Sequence, residues 1–136
     1  MKRYLLDTNI CIFFIKGQYN LYNKIAAVGP ENCFISEMTV AELKYGVENS
    51  KTPEVLRKVV EAFIPKFAIL PIYNSLDIYA KEKSKLRKLG SMIDDFDILI
   101  GATAIVNDMV MVTNNVEHLN RLANIHIEDW TSLAFL

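Results

Sequence analysis

The chain is expected to fold as an α/β domain, one parallel sheet covered by helices on both faces. Short apolar runs free of charge recur along it, and segments with helical spacing separate them. The runs are near-continuous, as in strands buried on both faces, and strands that alternate with helices pair in parallel.

Lys2 to Leu6 reads as the first strand. Asp7-Thr8-Asn9 supplies capping chemistry before the apolar stretch Ile10 to Ile15, which suits a buried helix. Asp7 therefore stands at the C-terminal end of a strand. Cys33-Phe34-Ile35 is the second strand, and Thr39-Val40-Ala41-Glu42 matches a capping box opening a helix that stops around Gly46. This puts Glu42 in the helix's first turn. From Pro53 to Phe63 the residues Val55, Leu56, Val59, Val60 and Phe63 recur at helical spacing, with Pro53 early in the helix. Phe67 to Leu70 is a third strand between two prolines. Ser75 to Leu89 is a basic helix ended by Gly90. Asp97 to Val106 has the composition of a buried helix, although its pattern alone also admits a short strand. Met109 to Val112 is a strand, Asn114-Asn115 a turn, Val116 to Leu122 a short helix and Ile125 to Ile127 the last strand.

The chain has 136 residues, 51% of them hydrophobic, which is enough for one core and too few for two, so residues 1–136 are expected to form a single domain. No apolar run approaches the ~18 residues that span a bilayer. Only Tyr4, Leu5 and Leu6 separate the initial Met-Lys-Arg from Asp7, too little for a secretory signal. A cytoplasmic location is expected. Cys11 and Cys33 lie apart in apolar runs and read as small core residues. His118 and His126 lack the spacing of a helical metal pair and read as structural or surface residues.

Net charge is −1, so overall charge marks no nucleic-acid binder. Its distribution is uneven. Between Asn74 and Ile93, Lys81, Lys83, Lys85, Arg87 and Lys88 outweigh Asp77 and Glu82 and leave the rest of the chain acidic. Lys81, Lys85 and Lys88 share one helical face, which suits either RNA phosphates or plain solvent.

Ligands of parallel α/β sheets gather at the C-terminal edge of the strands. Asp7 and Asn115 follow strands to that edge, and the helices that carry Glu42 and Asp97 can open toward it. Carboxylates gathered in a partly dry pocket repel one another unless a cation neutralises them. An all-oxygen donor set favours a hard ion, magnesium or manganese, and such an ion pairs naturally with a phosphodiester substrate. Taken singly, each acid also has a plain role: Asp7 as a helix cap, Glu42 as the end of a capping box, Asp97 as a first-turn acid, and Asp94 and Asp95 as loop solvation.

Four ordered blocks alter that weighting: Leu-Leu-Asp-Thr-Asn at 5–9, Ile-Ser-x-x-Thr-Val-Ala-Glu-Leu-x-Tyr-Gly at 35–46, Phe-Asp-Ile-Leu-Ile-Gly-Ala at 96–102 and Val-Thr-Asn-Asn at 112–115. Together they resemble the signatures of VapC-type PIN-domain toxins, and Ile-His-Ile-Glu-Asp-Trp at 125–130 resembles that family's final strand. The resemblance implies a PIN-like three-layer α/β/α fold and a metal-dependent endoribonuclease, the toxin of a toxin-antitoxin pair. It further implies a VapB-type antitoxin as partner, a homodimer, and RNA as substrate, with tRNA the family's expectation. Asp7, Glu42 and Asp97 take its acidic, metal-holding positions, with Mg2+ the expected ion and Mn2+ a substitute. Asn115 takes a fourth catalytic position that is acidic in many PIN domains. An amide there can hydrogen-bond a water but cannot act as a base. Asp94, Thr8, Asn9 and Thr113 are expected as outer supports. Two other readings stay open. One is a catalytically weak PIN-fold module that binds nucleic acid or protein, suggested by the neutral Asn115; the other is a PIN nuclease with no toxin role.

Overall fold

The computed structural model describes residues 1–132, so the last four residues of the expected domain lie outside the described residues. Five strands, β1 (Tyr4–Leu6), β2 (Cys33–Ser36), β3 (Ala68–Leu70), β4 (Val110–Val112) and β5 (His126–Glu128), form one sheet in the order β3-β2-β1-β4-β5, parallel throughout. Around it run α1 (Thr8–Ile15), α2 (Leu21–Val28), α3 (Glu37–Glu48), α4 (Pro53–Phe63), α5 (Leu76–Lys88), α6 (Asp95–Val106) and the single turn α7 (Val116–Leu119).

Side-chain alternation along β1 divides the core. Tyr4 and Leu6 point into one cluster with Ile10, Leu21, Leu43 and Phe63, contributed by α1 to α4. Leu5 points into the other, with Leu86, Ile98, Ile100 and Leu119 of α5 to α7. The period of two along a strand accounts for this. The first two connections move the chain outward from β1 to β2 to β3 on one side, and the third carries it back across to β4, on β1's other flank. The direction of winding thus reverses beside β1, where parallel sheets open a crevice at the strands' C-terminal ends.

The expected α/β architecture is present, with differences in detail. No element was expected between residues 16 and 32, yet α2 forms there. Tyr19 and Asn20 precede it in left-handed conformation (φ 59° and 56°), and Asn20, a residue type that suits an N-cap, accepts from the Asn23 side chain at 2.6 Å and makes no cap hydrogen bond to the helix backbone. The capping box at Thr39 is not used: Ser36 caps α3, its side chain accepting from Met38 N at 3.0 Å, because β2 runs directly into the helix. Glu42 is consequently in the second turn of α3, and that helix passes Gly46 to end at Glu48. On α4, Val55 and Val59 are exposed although they continue the apolar stripe, because the helix turns Leu56, Val60 and Phe63 toward the core instead. The edge strand β3 exposes Ala68 and Ile69, so the sheet's cover thins there. Tyr45 on α3 is 67% exposed and belongs to neither core cluster.

Gly101, in the middle of α6, decides how closely that helix packs. A Cβ at this position would run into Leu122 Cδ1 and come within 3.0 Å of Leu119 Cδ1. A larger residue would push α6 off α7 and the chain that follows. Both cysteines are free and buried, as expected. Burial pushes the Cys33 thiol up to about 12, with the charge of Glu31 adding to it, and burial pushes that of Cys11 up strongly.

Candidate active site

The crevice beside β1 is where the predicted acids meet. Asp7 directly follows β1, and its backbone N–H still pairs with Val112 O of β4 at 2.9 Å. Its side chain is the N-cap of α1, accepting from Thr8 N at 2.8 Å through Oδ1, so its plain capping role is real. The second oxygen, Oδ2, accepts from the Thr113 hydroxyl at 2.7 Å. Asp7 is only 4% exposed, and among the described residues it is in no ion pair. A cap needs one oxygen near the surface. A buried carboxylate held by both oxygens and facing no cation asks for more.

Glu42 reaches the same crevice from α3, its Oε1 accepting from the Thr8 hydroxyl at 2.6 Å. Asp97 reaches it from the first turn of α6, and Asn115 Nδ2 lies 3.4 Å from its Oδ2, a long contact. The backbone N–H of Asn115 donates to Thr113 Oγ1 at 2.9 Å. One hydrogen-bonded chain therefore runs Glu42, Thr8, Asp7, Thr113, Asn115, Asp97. It gathers all four predicted site residues, and it separates the carboxylates by hydroxyl and amide groups. Among the described residues no three acidic, histidine or cysteine side chains are grouped so as to hold an ion as they stand.

Among the described residues no salt bridge offsets the negative charge of the crevice. Asp97 is pushed up to about 6, first by burial and then by the charges of Asp7, Asp94 and Glu42, with His118 acting the other way. Burial raises Asp7 against its two hydrogen bonds. Burial likewise raises Glu42, the Thr8 hydroxyl opposes it, and Asp7 and Asp94 add to it. These mutual influences place four carboxylates in one electrostatic neighbourhood. Such a set relaxes apart without a counter-charge and has only hard oxygen donors to offer one, so its chemistry fits a magnesium-like ion.

Asp94, read either as loop solvation or as an outer support, caps α6 by accepting from Phe96 N at 2.8 Å. Asp95 is turned away and pairs with Lys83 at 2.8 Å. Sequence reasoning passed over two neighbours of the site. His118 Nδ1 lies 3.3 Å from Asn115 Nδ2. Its position three residues after Asn115, at the start of a helix, was the available signal. Thr39 lies behind Thr8, the partner of Glu42, and its capping-box reading hid it. Lys81, Ser84, Lys85 and Lys88 line an open surface groove on α5, where Lys85 is tied to Glu82 at 2.8 Å.

Residues 4–125 match the PIN domain family. The chain is 34% identical over 131 residues to the tRNA(fMet)-specific endonuclease VapC of Salmonella typhimurium, with 96% of this chain and 99% of that protein covered. It is 33% identical to Ribonuclease VapC2 of Rickettsia felis, covering 93% of this chain and 97% of that one. Among solved structures, a chain of the DNA-bound VapBC from Salmonella typhimurium superposes with a TM-score of 0.84 at 32% identity, over 96% of this chain and 99% of that one. A chain of VapBC2 from Rickettsia felis, bound to a DNA fragment from their promoter, gives 0.85 at 31% identity, over 92% and 96%. With its fold, its four sequence blocks and its acidic crevice all in agreement, the chain belongs to the PIN-domain family and, within it, to the VapC ribonucleases.

Proposed function

We propose that this protein is the toxin of a toxin-antitoxin pair: an endoribonuclease that hydrolyses RNA phosphodiester bonds, tRNA foremost, and is neutralised by a VapB-type antitoxin. The observation that carries the reading is the convergence of Asp7, Glu42 and Asp97, from three separate elements, in one crevice where none of them is in a salt bridge among the described residues. PIN-domain nucleases depend on a divalent cation. The all-oxygen donors here favour Mg2+, with Mn2+ as a substitute. No helix among the described residues is long and apolar enough to cross a membrane. A cytoplasmic location belongs to this proposal, because the tRNA it would act on is found there.

Asp7 and Asp97 would hold the ion, and Glu42 would either complete its shell or orient the attacking water. When bound, such an ion acidifies water and neutralises the charge that develops on the phosphoryl oxygens. The protein's own groups prepare for this. Thr8 N–H and the Thr113 hydroxyl lock both oxygens of Asp7, so the carboxylate does not have to reorganise on loading. Asn115 steadies Asp97 and can hydrogen-bond a water without serving as a base. Attack by water needs no ribose 2′-hydroxyl, and the products would be a 3′-hydroxyl and a 5′-phosphate.

The initiator tRNA named for the Salmonella typhimurium relative is the first RNA to test. Purified protein freed of any partner should cleave it with magnesium, and the activity should vanish with chelator or in Asp7→Asn. Cleavage that survives both treatments would defeat the assignment. The presence of all three principal acids favours an enzyme over a binding module.

A further inference from the structure

Thr39 is fully buried at the contact between α1 and α3, three residues before Glu42. Its Oγ1 lies 3.1 Å from Thr8 Oγ1, which in turn is 2.6 Å from Glu42 Oε1. A hydroxyl carries one hydrogen and can accept two. Thr8 cannot give that hydrogen to both neighbours, and the nearer, charged carboxylate is the stronger acceptor. The contact with Thr39 is then completed by the hydrogen of Thr39, giving a directed chain from Thr39 through Thr8 to Glu42.

From this we propose that Thr39 is a positioning residue for the acidic pocket, holding the Thr8 hydroxyl in the rotamer that fixes Glu42. Thr8 has other staggered states that carry its hydroxyl away from Glu42. Glu42 is long and only half-buried, and nothing else described holds its carboxylate against repulsion by Asp7 and Asp94. Thr39 touches neither ion nor RNA. Its effect passes through Thr8 alone, and the inference rests on the reading of Glu42 as part of the metal pocket.

The test compares Thr39→Val, Thr39→Ala and Thr39→Ser with the unaltered full chain. Mn2+ binding to metal-free protein is measured by calorimetry, cleavage of tRNA by kinetics and folding by circular dichroism. Loss of the hydroxyl in the Val and Ala variants should weaken Mn2+ binding about tenfold and lower kcat, with KM for RNA unchanged and the fold intact. The Ser variant should match the unaltered protein. The inference is overturned if Val and Ala bind Mn2+ normally, or if Ser is as impaired as Val, which would make the methyl group the important part. Unfolding of both Val and Ala variants would likewise overturn it by making Thr39 structural. Failure of the unaltered protein to bind Mn2+ or to cleave would sink the reading of the site itself and this inference with it.

Discussion

Replacing Asp97 by Asn should make the metal-free protein more stable near pH 7.5 while abolishing cleavage. Asp97 is pushed from its ordinary 3.8 up to about 6 by burial and by three neighbouring carboxylates. Below about pH 4 the folded and unfolded chains both keep this proton, and the group costs nothing. Between 3.8 and about 6 only the unfolded chain ionises, so stability falls as pH rises. Above that window both are ionised and the full cost is present. The gap corresponds to a ceiling of about 3 kcal/mol. The side chain is only partly buried, and solvent screening reduces this to roughly 1–1.5 kcal/mol. For a domain of this size that is about 3–5 °C in Tm. Unfolding in chelator, followed through the fluorescence of the buried Trp130, would measure it. The gain should shrink to about half near pH 5 and to a small remainder near pH 4, and magnesium should stabilise the unaltered protein far more than the Asn variant. Equal stability near pH 7.5, or a gain that does not change with pH, would refute the account of an uncompensated acidic crevice.

Other outcomes follow from the packing and the charge distribution. Gly101→Ala should cost about 1–2 kcal/mol, because the clash with Leu122 and Leu119 exceeds the roughly 1 kcal/mol of helix propensity gained; a urea midpoint at unchanged slope reads it. Cys11 and Cys33 should resist a thiol reagent in the native protein at neutral pH and react at once in denaturant. Charge reversal of Lys81 and Lys88 together should weaken RNA binding several-fold at low salt and little at high salt, if the groove on α5 follows the RNA backbone. A salt-independent loss, or no loss at all, would return that helix face to solvent.

Much of this molecule was legible in the chain because the signals were local. Short apolar runs marked the central strands β1, β2 and β4, since a strand covered on both faces has few places for polar side chains; the edge strand β3 was marked by the prolines on either side of it, and β5, which carries His126 and Glu128, by Ile125 and Ile127. Gly90 marked the end of α5 because its φ of 65° suits a residue without a side chain. Asp7, Glu42, Asp97 and Asn115 could be singled out because resemblance preserved their blocks in order. Tertiary structure decided what no spacing encodes. The start of α2 follows from left-handed conformations at Tyr19 and Asn20, of which the first is not announced by its residue type. Only the packed contact of α1 against α3 reveals that Thr39 stands behind Thr8, and only the passage of β2 straight into α3 makes Ser36 rather than Thr39 its cap. The reversal of winding beside β1 bonds Asp7 directly to Thr113, 106 positions away, within one hydrogen-bonded chain. Burial there sets the proton affinity of Asp97, a property of the surrounding dielectric and charge that the sequence around position 97 does not contain.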